Sequence, residues 1–434
     1  MTIKERDQKI IWHPFTQHQT ARMPTHIVRG ERAYLIDSDG NYLLDLISSW
    51  WVNLHGHAHP DIADAIYQQA MKLEQVIFSD FTHETAVELA DLLLALLPKA
   101  FSKVFYSDNG SSAVEVALKM AYQFWRNLGQ PARCRFMSFK KGYHGDTFGA
   151  MSVGKQSGFF SQFEDLFFSV DSFSYPATWQ GDQDVLEKEE MVLLEIETHL
   201  EQFSSQTAAM ILEPLVQGAG GMQMCRPEFL QQLEKRLRHY GVLIIYDEVM
   251  TGFGRTGATF ACLKSNTTPD IICLSKGLSG GFLPLAATVC QEYIYQAFLS
   301  ETFHQALAHS HSFTANPLGC AAAIASMRLL KEPKTVQQMK QIEAVHNARL
   351  SEMAEIERIQ KQRYCGTIAA FDLTTTDAYG SESSLKWRQI FQNQGLLIRP
   401  LGNTIYFLPP YCITADELTS AYQIVINQVL GVTA

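Results

Sequence analysis

Residues 242–249 read VLIIYDEV and residues 270–281 read DIICLSKGLSGG. Each begins as a short apolar run and ends in an ionisable group, Asp247 in the first and Lys276 in the second. A strand that is apolar on both faces belongs inside a parallel sheet covered on both sides. The chain around these runs repeats the pattern. KVFYSDNGSSAVEVALKMAYQFW (103–125) passes from a strand through a polar turn into a helix. CRFMSFKKGYHG (134–145) and AAMILEPLVQGAGG (208–221) are strands running into turns. HETAVELADLLLALL (83–97) and PEFLQQLEKRLRHYG (227–241) have helical spacing, the second with Gly241 as its stop. Strands alternating with helices predict an α/β fold, with a mostly parallel sheet between helices.

In such sheets ligands collect beyond the carboxyl ends of the strands. The polar clusters Gly110-Ser111, Tyr143-His144, Asp247-Glu248 and Lys276 all follow strands, so they are expected to converge on one edge. After about Leu330 the pattern changes. A helical stretch, 334–356, precedes the strand-like GTIAAFDL (366–373), LLIRPLG (396–402) and TIYFLPP (404–410). That suggests a smaller α+β unit. The expected division is an N-terminal segment, 1–52, that contributes to the small unit and the substrate pocket, a large unit, 53–330, and a C-terminal unit, 331–434. The N-terminal segment reads as irregular apart from AYLIDSDGNYLLDL (33–46), a hairpin around Asp39-Gly40-Asn41.

Composition narrows the class. The chain has 434 residues, 46% hydrophobic, with a formal net charge of −10. That length supports a large core, and the acidic balance offers no general attraction for nucleic acid or an anionic membrane. No apolar run is long enough to span a bilayer, and the start of the chain has no signal-peptide core. The eight cysteines are scattered with no C-x-x-C pair, which is expected of reduced thiols in a cytoplasmic protein. HGHAHP (55–60) and HSHS (309–312) lack acidic or cysteine partners at ligand spacing, so no metal is expected. GFGRTG (252–257) does not have the spacing of a nucleotide loop.

A lysine aimed into a desolvated site has a depressed proton affinity and can attack a carbonyl. An aspartate ending a buried strand needs a cation or hydrogen-bond donors. Pyridoxal 5′-phosphate uses both: an aldehyde for the lysine and a ring nitrogen that stays protonated beside a carboxylate. Gly110, Ser111 and Ser112 open a helix, where N–H groups and the helix dipole favour a phosphate. Tyr143 is placed to stack on a ring.

With those pieces in view, the sequence resembles the class III aminotransferases among the fold-type I pyridoxal-phosphate enzymes. The motifs are ILEPLVQGAGG (211–221), YDEVMTGFGRTG (246–257), DIICLSKGLSGG (270–281) and SFTANPLGCAA (312–322). The resemblance implies catalytic roles for Lys276, Asp247 and Tyr143. It implies cofactor contacts from Gly110, Ser111, Tyr143, Asp247 and Lys276, and from Ser312 reaching across a homodimer interface. IWHPFTQ (11–17), ISSWWVNLHGHAHP (47–60), KGYHGDTFGAMSV (141–153) and IRPLGNTIYFLPPY (398–411) resemble the branch that aminates 8-amino-7-oxononanoate in biotin synthesis, usually from S-adenosylmethionine. That likeness implies substrate contacts from Phe15, Trp50, Trp51, Ser310 and Arg399, the arginine reading the acceptor carboxylate. Phe15 stands where some relatives have tyrosine. GGFLPLAAT (280–288) and His311 resemble relatives in which lysine is the donor, so both donors stay open.

Overall fold

Seven strands form the central sheet of the chain, described here by a computed structural model covering residues 1–375 and 379–431. Their spatial order is Phe101–Ser107, Ala286–Gln291, Ile271–Leu274, Leu243–Asp247, Thr207–Leu212, Arg135–Phe139 and Val170–Phe173. Ala286–Gln291 runs antiparallel to both its neighbours, and every other pairing is parallel. The α/β reading holds.

Every residue of Thr207–Leu212, Leu243–Asp247 and Ile271–Leu274 is buried. Alternate residues of these strands serve different cores, as a period of two requires. Ala209, Ile211, Leu243 and Ile245 join a core beneath helix Gly110–Asn127. Met210, Leu212, Ile244 and Tyr246 join the core on the other face, with Ile196 of Val185–Phe203 and Phe229 of Pro227–His239. Each such side chain contributes roughly 1.5–3 kcal/mol when fully buried. Two apolar layers on one set of strands explain why these runs show no polar alternation.

The N-terminal hairpin forms as expected, Tyr34–Asp37 pairing antiparallel with Tyr42–Asp45. Asp37 accepts the N–H groups of Asp39 and Asn41, and Gly40 takes φ +85° at the turn. The hairpin sits in a four-stranded sheet ordered Ile27–Glu31, Tyr34–Asp37, Tyr42–Asp45 and Leu396–Leu397. A third sheet pairs Ile359–Cys365, Ile368–Leu373 and Thr404–Phe407, all antiparallel, with helices Pro333–Glu352 and Ala415–Leu430 packed together nearby. Residues 376–378 and 432–434 of the expected C-terminal unit lie outside the described residues.

Two of the elements that the sequence reading did not give show why. Ile3–Ile10 is a helix where an irregular segment was expected. Thr2 and Glu5 close a capping box at its start, the T-x-x-E signature of a helix N-terminus. Ile359–Cys365, sequence IQKQRYC, is a strand that was not anticipated. Its polar residues hide the pattern because only part of the strand is buried.

The segment after the hairpin matters most for the site. Ser48, Ser49 and Trp51 all adopt positive φ (51°, 60° and 65°) without a glycine among them. Such a conformation costs roughly 1–2 kcal/mol per residue, so the surroundings must impose it.

Candidate active site

The carboxyl ends of the parallel strands open into a cavity of about 570 Å³, lined among others by Lys276, Asp247, Tyr143, Gly110, Ser111, Trp51 and Glu213. The convergence expected from the strand–turn pattern is therefore present. Phe15, Trp50 and Arg399 line the same cavity from irregular segments.

Lys276 follows strand Ile271–Leu274 and enters a short 3₁₀ turn with φ +48°. The turn tips its side chain off the sheet and into the cavity. Its ammonium is desolvated, which lowers its proton affinity; Asp247, then Glu213 and Asp146, partly oppose that effect. The Nζ atom lies 4.8 Å from the centre of the Trp51 ring, a contact that favours the cation electrostatically. Burial dominates, so the amine gives up its proton more readily than an ordinary lysine.

Asp247 ends strand Leu243–Asp247 and is 5% exposed. Oδ1 accepts the Val249 N–H at 3.1 Å, and Oδ2 lies 2.8 Å from Nδ1 of buried His144. Since the carboxylate accepts, His144 carries its proton on Nδ1. The adjacent carboxylate, Glu248, has a different job. It accepts the N–H groups of Ala261 and Cys262 at the start of helix Ala261–Ser265, and burial pushes it up to about 7.

Helix Gly110–Asn127 presents its first turn to the cavity, with Asn109 as N-cap. A Cβ at Gly110 would meet Val249 Cγ1 at 2.8 Å, and one at Gly145 would meet Ser111 Oγ at 2.1 Å. Both glycines are thus required for these loops to close around the helix end. Tyr143 is held at its backbone by Glu213, whose Oε2 accepts its N–H at 3.0 Å. Its hydroxyl donates to Asp146. Burial, then Asp146, raises the Tyr143 hydroxyl above its ordinary range.

Arg399 is half-buried. Its Nε and Nη2 both donate to the Tyr379 hydroxyl, at 3.1 and 2.7 Å. Its guanidinium carbon stands 5.1 Å from the Trp50 ring centre, and Phe15 packs against Trp50 at 6.1 Å. The cavity lining therefore combines an amine and carboxylates with a guanidinium framed by aromatic rings.

Ser310 and Ser312 are exposed and do not line the cavity of their own chain. Their segment is held at its rim. His311 Nδ1 lies 3.3 Å from Asp108, and the Ser312 carbonyl accepts Gln75 Nε2 at 3.0 Å. Within HGHAHP, His55 meets Ser326 and His57 meets Asp45. Among the described residues no group of three or more His, Cys, Asp or Glu could hold a metal.

Four contributors were not singled out by sequence: the role of His144 on Asp247, and Glu213, Asp146 and Tyr379. Glu213 immediately follows strand Thr207–Leu212, so the strand-end rule would have found it. It accepts N–H groups from Tyr143 and Gly218, and burial pushes it up to about 7. Nothing in TTTDAYG (374–380) marks Tyr379.

The donor set fits pyridoxal 5′-phosphate. A desolvated primary amine, a hydrogen-bonded carboxylate, an open helix N-terminus and an aromatic face border one space.

Comparison with known proteins agrees. The family model described as "Aminotransferase class-III" matches residues 15–430. A relative named adenosylmethionine-8-amino-7-oxononanoate aminotransferase, from Synechococcus elongatus, is 52% identical, the alignment covering 95% of this chain and 96% of the relative. A like-named protein from Geobacter sulfurreducens is 40% identical over 96% of this chain and 95% of its own. Among solved structures, the like-named Methanocaldococcus jannaschii enzyme superposes with a TM-score of 0.91 at 34% identity, covering 99% of this chain and 98% of its own. A PLP-bound amine transaminase from an uncultivated Pseudomonas species gives 0.92 at 28%, covering 98% and 99%. With the match running nearly end to end, the chain belongs to the class III aminotransferase family.

Proposed function

We propose that this enzyme transfers an amino group to 8-amino-7-oxononanoate, giving 7,8-diaminononanoate, a step of biotin synthesis. The observation that carries the reading is the lining of the cavity. Lys276, Asp247 and Arg399 line one space together with the aromatic rings of Trp50, Trp51 and Phe15. An apolar chain ending in a carboxylate matches that set of groups, because a guanidinium pairs with a carboxylate through parallel N–H bonds. The names of the similar proteins support it.

Pyridoxal 5′-phosphate, when bound, supplies an aldehyde that condenses with amines and a ring that takes up electrons. The first turn at Gly110 and Ser111 would hold its phosphate, Tyr143 would face its ring, and Asp247 would meet its ring nitrogen. Nζ of Lys276, neutral more readily than in water, takes a proton from the donor carbon and returns it during the transfer. His144 keeps the Asp247 carboxylate oriented by donating from Nδ1. The donor enters the cavity before the acceptor, so one set of walls serves both. S-adenosylmethionine is the donor we favour, in keeping with the names of the similar proteins. Lysine is the alternative.

The reading extends to assembly. Ser310 and Ser312 would complete the site of a second copy, making the enzyme a homodimer. Ile77, Phe81, Phe303 and Phe313 are 65%, 59%, 82% and 60% exposed, apolar surface that such a partner would cover. The division at about residues 52 and 330, and a cytoplasmic location, belong to the same proposal. All eight cysteines are free, and no helix among the described residues is long and apolar enough to cross a membrane.

The test is an acceptor and donor screen on the purified holoenzyme, with sedimentation of the same sample. Formation of 7,8-diaminononanoate from S-adenosylmethionine or lysine, by a dimer, is expected. Deamination of ornithine, 4-aminobutyrate or a diamine in the presence of a keto-acid acceptor, with no reaction on 8-amino-7-oxononanoate, would replace the reading with another activity of the family.

A further inference from the structure

The strained backbone of Ser48–Trp51 needs a cause, and the structure supplies one outside the cavity. Asp45 is fully buried. Its Oδ1 accepts the Ile47 N–H at 3.1 Å, its Oδ2 accepts the Ser49 N–H at 2.7 Å, and Oδ2 also lies 2.9 Å from His57 Nε2. The two backbone donors bracket Ser48, so one carboxylate bends the chain where φ turns positive.

His57 is fixed in turn. Asn53 Oδ1 accepts the Gly56 N–H at 2.8 Å, so its Nδ2 is the atom facing His57 Nδ1, at 3.1 Å. Asn53 therefore donates, Nδ1 carries no proton, and Nε2–H points at Asp45. The Asn53 carbonyl accepts from buried Arg255 at 2.9 Å. On the other side His57 abuts Gly30, where an added Cβ would stand 2.6 Å from the His57 Cβ.

The bend has two products. Trp51 turns inward, its Nε1–H donating to the Tyr406 hydroxyl at 3.0 Å and its ring under Lys276 Nζ. Trp50 turns outward to Arg399 and Phe15. Neither Asp45 nor His57 lines the active-site cavity.

We propose that Asp45, His57 and Asn53 form a positioning clamp that sets both tryptophans, and through them the surroundings of Lys276 and Arg399. The clamp deepens the reading of the cavity as the active site and rests on it. Its members are positioning residues; none touches a reacting atom. Asp45→Asn is informative because a carboxamide offers one accepting oxygen where three N–H groups now converge, and turns its NH₂ toward another donor. Gly30→Ala presses on His57 without altering any clamp group.

The experiment labels the full-length protein with 5-fluorotryptophan and records ¹⁹F spectra with and without cofactor. The chain has six tryptophans, and Trp50→Phe and Trp51→Phe assign the two that matter. Expected in Asp45→Asn is movement of the Trp50 and Trp51 resonances while Trp12, Trp125, Trp179 and Trp387 stay in place. Alongside, kcat/KM falls at least about tenfold, since small displacements at a reacting centre cost that much. Gly30→Ala shifts the same two resonances and lowers kcat/KM by less, and it decides the matter if Asp45→Asn does not fold. His59→Gln, in the same loop but outside the clamp, keeps parent spectra and rates. The clamp is overturned if the two resonances stay put, if all six move alike, or if they move with kcat/KM unchanged. Should the proposed acceptor reaction fail, the spectra of the cofactor-free protein still test the clamp independently.

Discussion

Asp247 and Lys276 leave strands that are buried along their whole length, whereas Trp50, Arg399 and Tyr379 reach the same cavity from irregular segments. The first region is held by the ladder of the central sheet and by two apolar cores. The second is held by a few directed contacts: the Asp45 carboxylate, the Tyr379 hydroxyl and packing of aromatic rings. A rigid sheet edge suits groups whose positions the chemistry dictates. Irregular segments can change their side chains and still leave the sheet intact. On the proposed reading, the floor carries the reaction common to the family and the rim carries the choice of substrate.

The largest effect is expected at the floor. If Lys276 is the proposed nucleophile and proton carrier, Lys276→Ala removes both, and turnover should fall by at least about 10³-fold. The fold should not suffer. Loss of a cation whose burial is unfavourable leaves the melting temperature of the cofactor-free protein equal to or above that of the parent. Steady-state kinetics and thermal melts of the two proteins check both halves. Retained turnover would remove the distinction between floor and rim.

A rim substitution should act on binding instead. Arg399→Ala deletes charge-assisted hydrogen bonds of roughly 1.5–3 kcal/mol. The acceptor KM should rise about 10- to 100-fold while kcat and the cofactor's visible spectrum stay near parent values. If kcat fell with KM unchanged, Arg399 would belong with the floor.

Legibility in the sequence divides along the same line. Lys276, Asp247, Tyr143, Gly110 and Ser111 could be placed because apolar runs mark buried strands and strand ends mark the site. Trp50, Trp51, Phe15 and Arg399 entered through resemblance, since no periodicity points an irregular segment into a cavity. The positive φ of Ser48, Ser49 and Trp51 carries no glycine to announce it; its cause is Asp45 and, 12 residues later, His57. The helix Ile3–Ile10 was readable from Thr2 and Glu5, yet its polar surface gave no apolar stripe. Tyr379 meets Arg399 across 20 residues of chain, a contact that only the folded molecule reveals.

The smallest effect sharpens the comparison most, because its sign is informative. The Tyr379 hydroxyl accepts from Nε and Nη2 of Arg399, occupying one edge of the guanidinium. The opposite edge, with Nη1, is left for a carboxylate. On this geometry Tyr379 orients the fork without competing for it. Tyr379→Phe frees the guanidinium to swing, and loss of about 1 kcal/mol of orientation raises the acceptor KM roughly fivefold, with kcat unchanged. If Tyr379 blocked the carboxylate's own donors, the same substitution would lower KM. An acceptor titration at saturating donor separates the two. A lowered KM would mean that the rim is closed in this conformation and that the tyrosine must move before the acceptor binds.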